Sequence, residues 1–321
     1  MKLFIVAALV LVADALSVKE EWQQFKMDHG KTYRSLREER HRFSIFQDNL
    51  QLIQEHNEKY DKGEVTYALK ITEFADMTHQ EFLDFMKIKP ISAPSNRRGR
   101  FAPTGGEIPK SKDWRKEGAV TAVKYQGPRC GSCWAFSTTG SIEGQLFRTN
   151  GTLLSLSEQN LMDCDIVNAA CNGGNMEVAY DYVIGNGITT EDEYPYEAEK
   201  GKCRVDGHPT IKIKDYVDID ADEDLITKGL ALAGPLSDAI SVWRHISLYS
   251  HGIIDESSGC DNKQESLNHA ILLVGYGEEA GVPYYIVKNS WGAKWGENGY
   301  FRLKKNVNAC GIKFYSSFPT M

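Results

Sequence analysis

The chain has 321 residues, with 37 Lys and Arg against 44 Asp and Glu, a net charge of −7, and 41 % hydrophobic residues. That length supports a large buried core. The absence of a basic stripe among interleaved aromatics excludes nucleic acid as an expected partner. The charge is divided unevenly, since residues 1–107 carry 16 basic and 16 acidic groups and residues 108–321 carry 21 and 28.

Met1-Lys2 is a short basic start, Leu3 to Val12 is an unbroken apolar run, and Ala13-Asp14-Ala15 is a small-x-small pattern. Together they read as a signal peptide over 1–16. Ten apolar residues are too few for a bilayer that needs about 20, and no later run is long enough, so no membrane association is expected. The chain is expected to enter the secretory route and to end as a secreted or lysosomal protein.

Residues 18–62 are rich in helix formers. Glu38, Arg42, Phe46, Asn49, Ile53 and Asn57 fall within roughly 100° of one helix face. The stretch 90–109, "PISAPSNRRGRFAPTGGEIP", breaks regular structure and reads as an exposed, easily cut linker. From Trp114 the composition becomes that of a packed domain. A helix is expected from about Cys133, where Gly140 and Gly144 point to close packing. Asp218 to Asp224, "DIDADED", reads as a solvated loop or helix start. "HAILLVGYG" and "YYIVKNSW" read as buried strands. Helix early and sheet late suggest two lobes. Asn150-Gly151-Thr152 is a glycosylation sequon on a turn-like "TNGT".

Seven cysteines, at 130, 133, 164, 171, 203, 260 and 310, all lie after residue 129. In an oxidising compartment six can pair and one is left over. Cys133 could be half of a disulfide, a metal ligand, a redox partner of Cys130, or a nucleophile. No second close Cys or His pair completes a zinc site, and no thioredoxin-like βαβ context surrounds the C-x-x-C; no metal or cofactor is expected. A nucleophile needs a base, a group to orient that base, and oxyanion donors. His269, at the mouth of "LNHAILLVGYG", could be the base. Asn289 in "KNSWGAKWGENGY" could orient it, with Trp291 shielding the bond.

These residues resemble the papain family of cysteine proteases, in its cathepsin L-like branch. The resemblance rests on the six-residue helical face, "DWR" at 113–115, "CGSCW" at 130–134, "SLSEQNLMDC" at 155–164, "CNGG" at 171–174, "NHAILLVGYG" and "KNSWGAKWGENGY". It implies an α+β, two-lobe fold with a helical lobe around a central helix and a β-barrel-like lobe, preceded by a mainly helical prosegment. The expected layout is a signal peptide at 1–16, an inhibitory prosegment at 17–107 and a peptidase domain at 108–321, its helical lobe ending near 213.

The resemblance makes Cys133 the nucleophile, His269 the base and then acid, and Asn289 the orienter. Gln126 and the Cys133 N–H form the oxyanion hole, and a thiolate–imidazolium pair works through an acyl-enzyme. It pairs Cys130 with Cys171, Cys164 with Cys203 and Cys260 with Cys310. Substrate contacts fall on Gly131, Gly173, Gly174, Met176, Ala239, Leu267, Asn268, Ala270, Trp291, Trp295 and Tyr315. Met176, Ala239, Leu267, Ala270 and Tyr315 would line the pocket for the second residue before the scissile bond. None of those five is charged, so apolar side chains are expected there, with Tyr315 shortening the pocket.

The implied function is an endopeptidase zymogen acting on proteins and peptides. It would be held by its own prosegment, matured by acid in part through Asp76, blocked by cystatin-type inhibitors, and monomeric. The 31 residues between Cys171 and Cys203 leave little room for the blocking loop of a carboxydipeptidase. A catalytically inactive homologue acting as a binding or regulatory protein is the alternative. The chain departs from the family pattern in several places, with Asn175 where a Leu is common and Tyr315 where a small residue is common. Pro128-Arg129 stand where one residue is usual, and Lys70, Thr72, Phe74 and Asp76 stand where a Gly-x-Asn-x-Phe-x-Asp motif is usual.

Overall fold

The computed structural model describes residues 18–91, 98–103, 105–205, 207 and 210–321, so the expected signal peptide and linker residues 92–97 lie outside the described residues. Helix α1 runs over 18–28 and packs on α2 (Leu36–Asp61) through tilted aromatic rings. Trp22 and Phe25 lie 5.2 and 5.0 Å from Phe46, which is fully buried. The six-residue face predicted from spacing lies on α2, and its polar members hold the chain that follows. Arg42 donates to the Asp76 carbonyl and to Glu81. Asn49 donates to the carbonyls of Ala75 and Met77, and Asn57 both donates to and accepts from the Leu69 backbone. Buried backbone groups need partners, and these amides supply them for a loop with little regular structure.

That loop contains β1 (Tyr67–Leu69), which pairs antiparallel with β6 (Tyr249–Ile254) and so adds an edge strand to the main sheet. The approach is close. A Cβ on Gly252 would sit 2.5 Å from the Thr66 carbonyl, and Gly252 has φ +101°, so only glycine fits. A capped helix α3 (His79–Met86) follows, with Thr78 and Glu81 exchanging capping bonds. The strands β2 (Gly99–Arg100) and β3 (Lys112–Asp113) are short.

Helix α4 (Cys133–Asn150) is the buried centre of the molecule, flanked by α5 (Glu158–Cys164) and α6 (Met176–Asn186). Its two glycines are there for packing. A Cβ on Gly140 would meet Leu272 at 2.6 Å, and one on Gly144 would meet Pro235 at 2.6 Å. After β4 (Asp215–Ile219) and α7 (Glu223–Leu232) come β5 (Leu236–Ile240), β7 (His269–Glu279), β8 (Val282–Lys288), β9 (Tyr300–Lys304) and β10 (Ser316–Thr320). The sheet runs β1-β6-β9-β8-β7-β5-β10-β4-β2, with β3 on β7. The architecture is α+β, with helices α1 to α6 before residue 190 and, after 213, the strands of the second lobe with α7 among them.

The acidic run 218–224 is not wholly solvated. Asp218 is buried within β4, because it sits inside a strand covered by β10, while Asp222 caps α7 by accepting from the N–H groups of Asp224 and Leu225. Disulfides join Cys130 to Cys171, Cys164 to Cys203 and Cys260 to Cys310 across 41, 39 and 50 residues.

Candidate active site

Cys133 is the free cysteine and the first residue of α4. Its neighbour Ser132 makes no side-chain capping bond, so the amides of the first turn and the positive end of the helix are left for the sulfur. The Sγ accepts from the N–H of Ala270 at 3.5 Å, which brings it against the residue that follows His269. Burial pushes the thiol up to about 11, opposed by the backbone N–H groups of Ala270, Trp134 and Cys133 itself.

His269 opens β7 and is completely buried. Its Nε2 lies 2.8 Å from Asn289 Oδ1. The Ser290 N–H donates to that same oxygen at 2.8 Å, which fixes it as the acceptor. The proton of the neutral imidazole therefore sits on Nε2, and Nδ1, which has no hydrogen-bond partner, is left as the acceptor. The Trp291 ring lies 4.7 Å from the imidazole. Burial pushes His269 down to about 4, with the Asn289 bond opposing. Burial thus favours the neutral thiol and the neutral imidazole in this closed form.

The extra residue before Cys130 does not free Gln126. Its Nε2 donates to the Cys130 carbonyl at 2.9 Å and its Oε1 accepts from Ser290 Oγ at 2.6 Å. The bulge is taken up beyond it. Arg129 adopts φ 62° and donates its N–H to the Phe85 carbonyl at 2.5 Å. One Nε2 hydrogen of Gln126 remains beyond the bond to Cys130. Ser290 went unnoticed in the sequence although it stands inside "KNSW"; it ties the amide of Gln126 to that of Asn289.

The predicted contact residues gather around this centre. Met176, Ala239, Leu267, Ala270 and Tyr315 belong to one packed cluster with Cys133, and all are at most 4 % exposed apart from the thiol residue. Gly173, at φ +104°, has open space where a side chain would project, whereas a Cβ on Gly174 would strike the Trp134 ring at 2.6 Å. The Asn268 side chain accepts from the Val242 N–H, so it braces the loop beside the pocket. Trp295 packs at 5.0 Å on Trp291 and donates to the Ile246 carbonyl.

The N-terminal segment covers this surface. Phe82 and Phe74 meet Trp291 edge-on at 5.2 and 6.4 Å. A Cβ on Gly131 would fall 2.6 Å from the Lys87 carbonyl, and Ile91 packs against the pocket cluster while donating to the Leu267 carbonyl. Asp76 bonds to Lys31 and Tyr33, both within the same segment. It therefore stabilises the segment internally.

Sequence reasoning missed Glu177, a carboxylate 2 % exposed that accepts from the Tyr315 hydroxyl. Its one sequence signal was its place directly after Met176. Asn150 ends α4 at the surface, where its Oδ1 accepts from the Thr152 N–H. Among the described residues, no group of three or more His, Cys, Asp or Glu is placed to hold a metal ion.

Residues 108–320 match the family described as papain family cysteine protease, and residues 22–82 match the cathepsin propeptide inhibitor domain. The chain is 44 % identical to cathepsin L of Sarcophaga peregrina, with all of both chains covered. It is also 44 % identical to digestive cysteine proteinase 1 of Homarus americanus, over 98 % of this chain and 99 % of that one. Among solved structures, digestive procathepsin L 3 of the Tenebrio molitor larval midgut superposes with a TM-score of 0.87 at 42 % identity, covering 95 % of this chain and 99 % of that one.

Proposed function

We propose that this chain, which belongs to the papain family of cysteine proteases as a cathepsin L-like proenzyme, hydrolyses internal peptide bonds through Cys133, His269 and Asn289 once its prosegment is removed. One observation carries the reading. The free thiol sits at the N-terminus of α4 on the Ala270 N–H, and the preceding residue, His269, is turned by Asn289 so that Nδ1 is unprotonated.

In the open enzyme the thiol proton passes to His269 Nδ1, and the helix terminus and the imidazolium stabilise the thiolate. Sγ attacks the scissile carbonyl. The oxyanion takes the Cys133 N–H and the remaining Nε2 hydrogen of Gln126. His269 returns its proton to the leaving amine, giving a thioester and the first product. It then takes a proton from water, whose oxygen attacks the thioester and releases the carboxylic acid, which ionises in solvent, and the thiolate. Asn289 keeps the imidazole in the required tautomer throughout. The inhibitory prosegment would span 17–107 and the peptidase 108–321, a reading supported by family matches over 22–82 and 108–320.

The pocket of Met176, Ala239, Leu267, Ala270 and Tyr315 is proposed to take apolar side chains, since an unpaired cation there is costly. A signal peptide at 1–16 would send the proenzyme into the secretory route, toward lysosomes or the exterior, with sugar on Asn150. The active form acts as a monomer, and cystatin-type inhibitors fit the same cleft. The test uses a peptide blocked at both ends. Internal cleavage by the mature enzyme, abolished in Cys133→Ala and by iodoacetamide, supports the reading; trimming restricted to free termini or activity in Cys133→Ala refutes it.

A further inference from the structure

The hydroxyl of Tyr196 joins the two chain segments that carry the oxyanion donors. It donates to the backbone carbonyl of Gln126 at 2.7 Å and lies 2.6 Å from Ser132 Oγ. A phenol has one proton and a carbonyl can only accept, so Ser132 donates to Tyr196. Ser132 precedes Cys133 and is the N-cap of α4. In α2, α3, α5, α6 and α7 the N-cap is extended and its side chain accepts from the first turn. Ser132, at φ −99° and ψ 12°, does neither, and its side chain is turned to Tyr196 instead. The Ala135 N–H already bonds to the Ser132 carbonyl at 2.8 Å. The Trp134 N–H is therefore the one that a Ser132 cap would take, and it is among the amides that favour a charged Cys133 sulfur. The loop between the two donors, 127–132, holds the extra residue and passes through left-handed backbone at Gly127 and Arg129, with φ 77° and 62°. The chain by itself does not set their spacing.

We propose that Tyr196 is a positioning residue of the catalytic centre: it holds Ser132 off the first turn of α4, which leaves the Trp134 amide to the Cys133 sulfur, and it ties Ser132 to Gln126, which keeps the two oxyanion donors in register. The assignment rests on the endopeptidase reading above and adds a residue to it. Tyr196 is itself fixed. Its ring meets Phe136 of α4 edge-on at 5.0 Å, and its N–H donates to Glu191 Oε1 at 2.9 Å. Burial raises its hydroxyl above the ordinary phenol range, against the bond from Ser132, so it stays protonated where the enzyme works. The titratable groups around this centre are His269 on β7, Glu158 on α5 and Glu191, and Lys124 holds the two carboxylates at 2.8 and 3.5 Å. Glu143 on α4 and Lys288 on β8 act on the same lysine and on each other. Exchanging Tyr196 for Phe leaves every one of these groups in place.

The experiment follows the rate of Cys133 alkylation by iodoacetamide in the mature enzyme across about pH 3–7, beside kcat and KM on one blocked peptide. Tyr196→Phe keeps the ring on Phe136 and loses only the hydroxyl. Ser132 is then free to cap α4, the sulfur loses a donor, and the thiolate forms less readily. The alkylation midpoint should rise by about 0.5 pH unit or more. The value of kcat should fall ~10-fold, with KM within about 2-fold of wild type. Adding Ser132→Ala removes the competing cap. The midpoint should return to within about 0.2 unit of wild type, while kcat stays low because Gln126 is still untied. In a Gln126→Ala background, Tyr196→Phe should lower kcat by less than ~3-fold further. A midpoint does not depend on how much of a sample is folded, so partial misfolding does not imitate the shift. The assignment is overturned if the midpoint stays put in Tyr196→Phe, if the shift survives Ser132→Ala, if KM rises in place of the fall in kcat, or if the loss of kcat is undiminished in Gln126→Ala. Alkylation needs no substrate and so stands apart from the endopeptidase reading, which is judged by internal cleavage in the wild type alone.

Discussion

The backbone N–H of Ile91 donates to the Leu267 carbonyl at 2.8 Å, so the prosegment bonds to a wall of the pocket proposed to select substrate. The Ile91 side chain packs on the same cluster. Truncating it removes apolar burial of about 1–3 kcal/mol. Full-length Ile91→Ala should leak activity toward a small peptide at neutral pH, roughly 5-fold or more above the wild-type proenzyme. A leak no greater than wild type would place the inhibitory contact elsewhere, on Phe82 or Lys87.

Alkylation of Cys133 should report the state of the prosegment. In the closed chain the thiol is 8 % exposed and its pKa is raised to about 11 by burial, so little thiolate exists at neutral pH. Iodoacetamide should therefore modify the proenzyme at least ~100-fold more slowly than the mature enzyme. Peptide mapping should locate the label on Cys133 in both. Equal rates before and after maturation would contradict this.

Local chemistry made part of this structure legible. The odd cysteine, the helical spacing from Glu38 to Asn57, and the two glycines of α4 each carried a physical demand that the fold meets. The family resemblance supplied the two-lobe architecture, which neither composition nor periodicity contains. The partners of Asp76 and Glu177 were not legible in the sequence for one reason: the partner of a buried carboxylate is set by long-range packing. Tyr315 lies 138 residues from Glu177, and Tyr33 lies 43 from Asp76. Asp218 was taken for a surface charge because a run of acids hides the period-2 pattern of β4. Ser290 was overlooked because its two amide partners, Gln126 and Asn289, meet only when the lobes do.

Acid release of the prosegment should depend on histidines at its interface with the peptidase. His56 on α2 lies 6.0 Å, ring to ring, from His245 of the second lobe, and the His245 Nδ1 is buried without a partner. His245 is pushed down to about 4 by burial first, then by His56, Arg244 and His79. His56 is lowered by burial and by Lys59 against its bond to the Tyr67 carbonyl, and His79 by burial and Arg244. The charged groups acting on these three rings are thus all basic. A histidine that binds protons less readily when docked favours docking fully above its free pKa of about 6.5 and loses that stability as pH falls toward the docked value. Inhibition should weaken from about pH 6.5 downward. His245→Gln, which stays neutral, should move the midpoint of acid maturation to lower pH. An unmoved midpoint would assign the acid response to other groups.

Asn289 should affect the direction of proton flow more than the affinity for substrate. Its Oδ1 accepts from His269 Nε2 and from the Ser290 N–H, and the His269 bond is what raises the imidazole against burial. In Asn289→Ala the imidazole loses that support and its preferred tautomer. The thiolate–imidazolium pair should then lose its proton at lower pH, so the alkaline limb of the activity profile should shift toward acid. The value of kcat should fall ~10–100-fold, as expected for weakened general acid–base action, with KM within about 2-fold of wild type. Rates measured across pH on one peptide separate this from simple misfolding. A misfolded fraction lowers kcat equally at every pH and leaves the limb in place, whereas a mispositioned imidazole moves it.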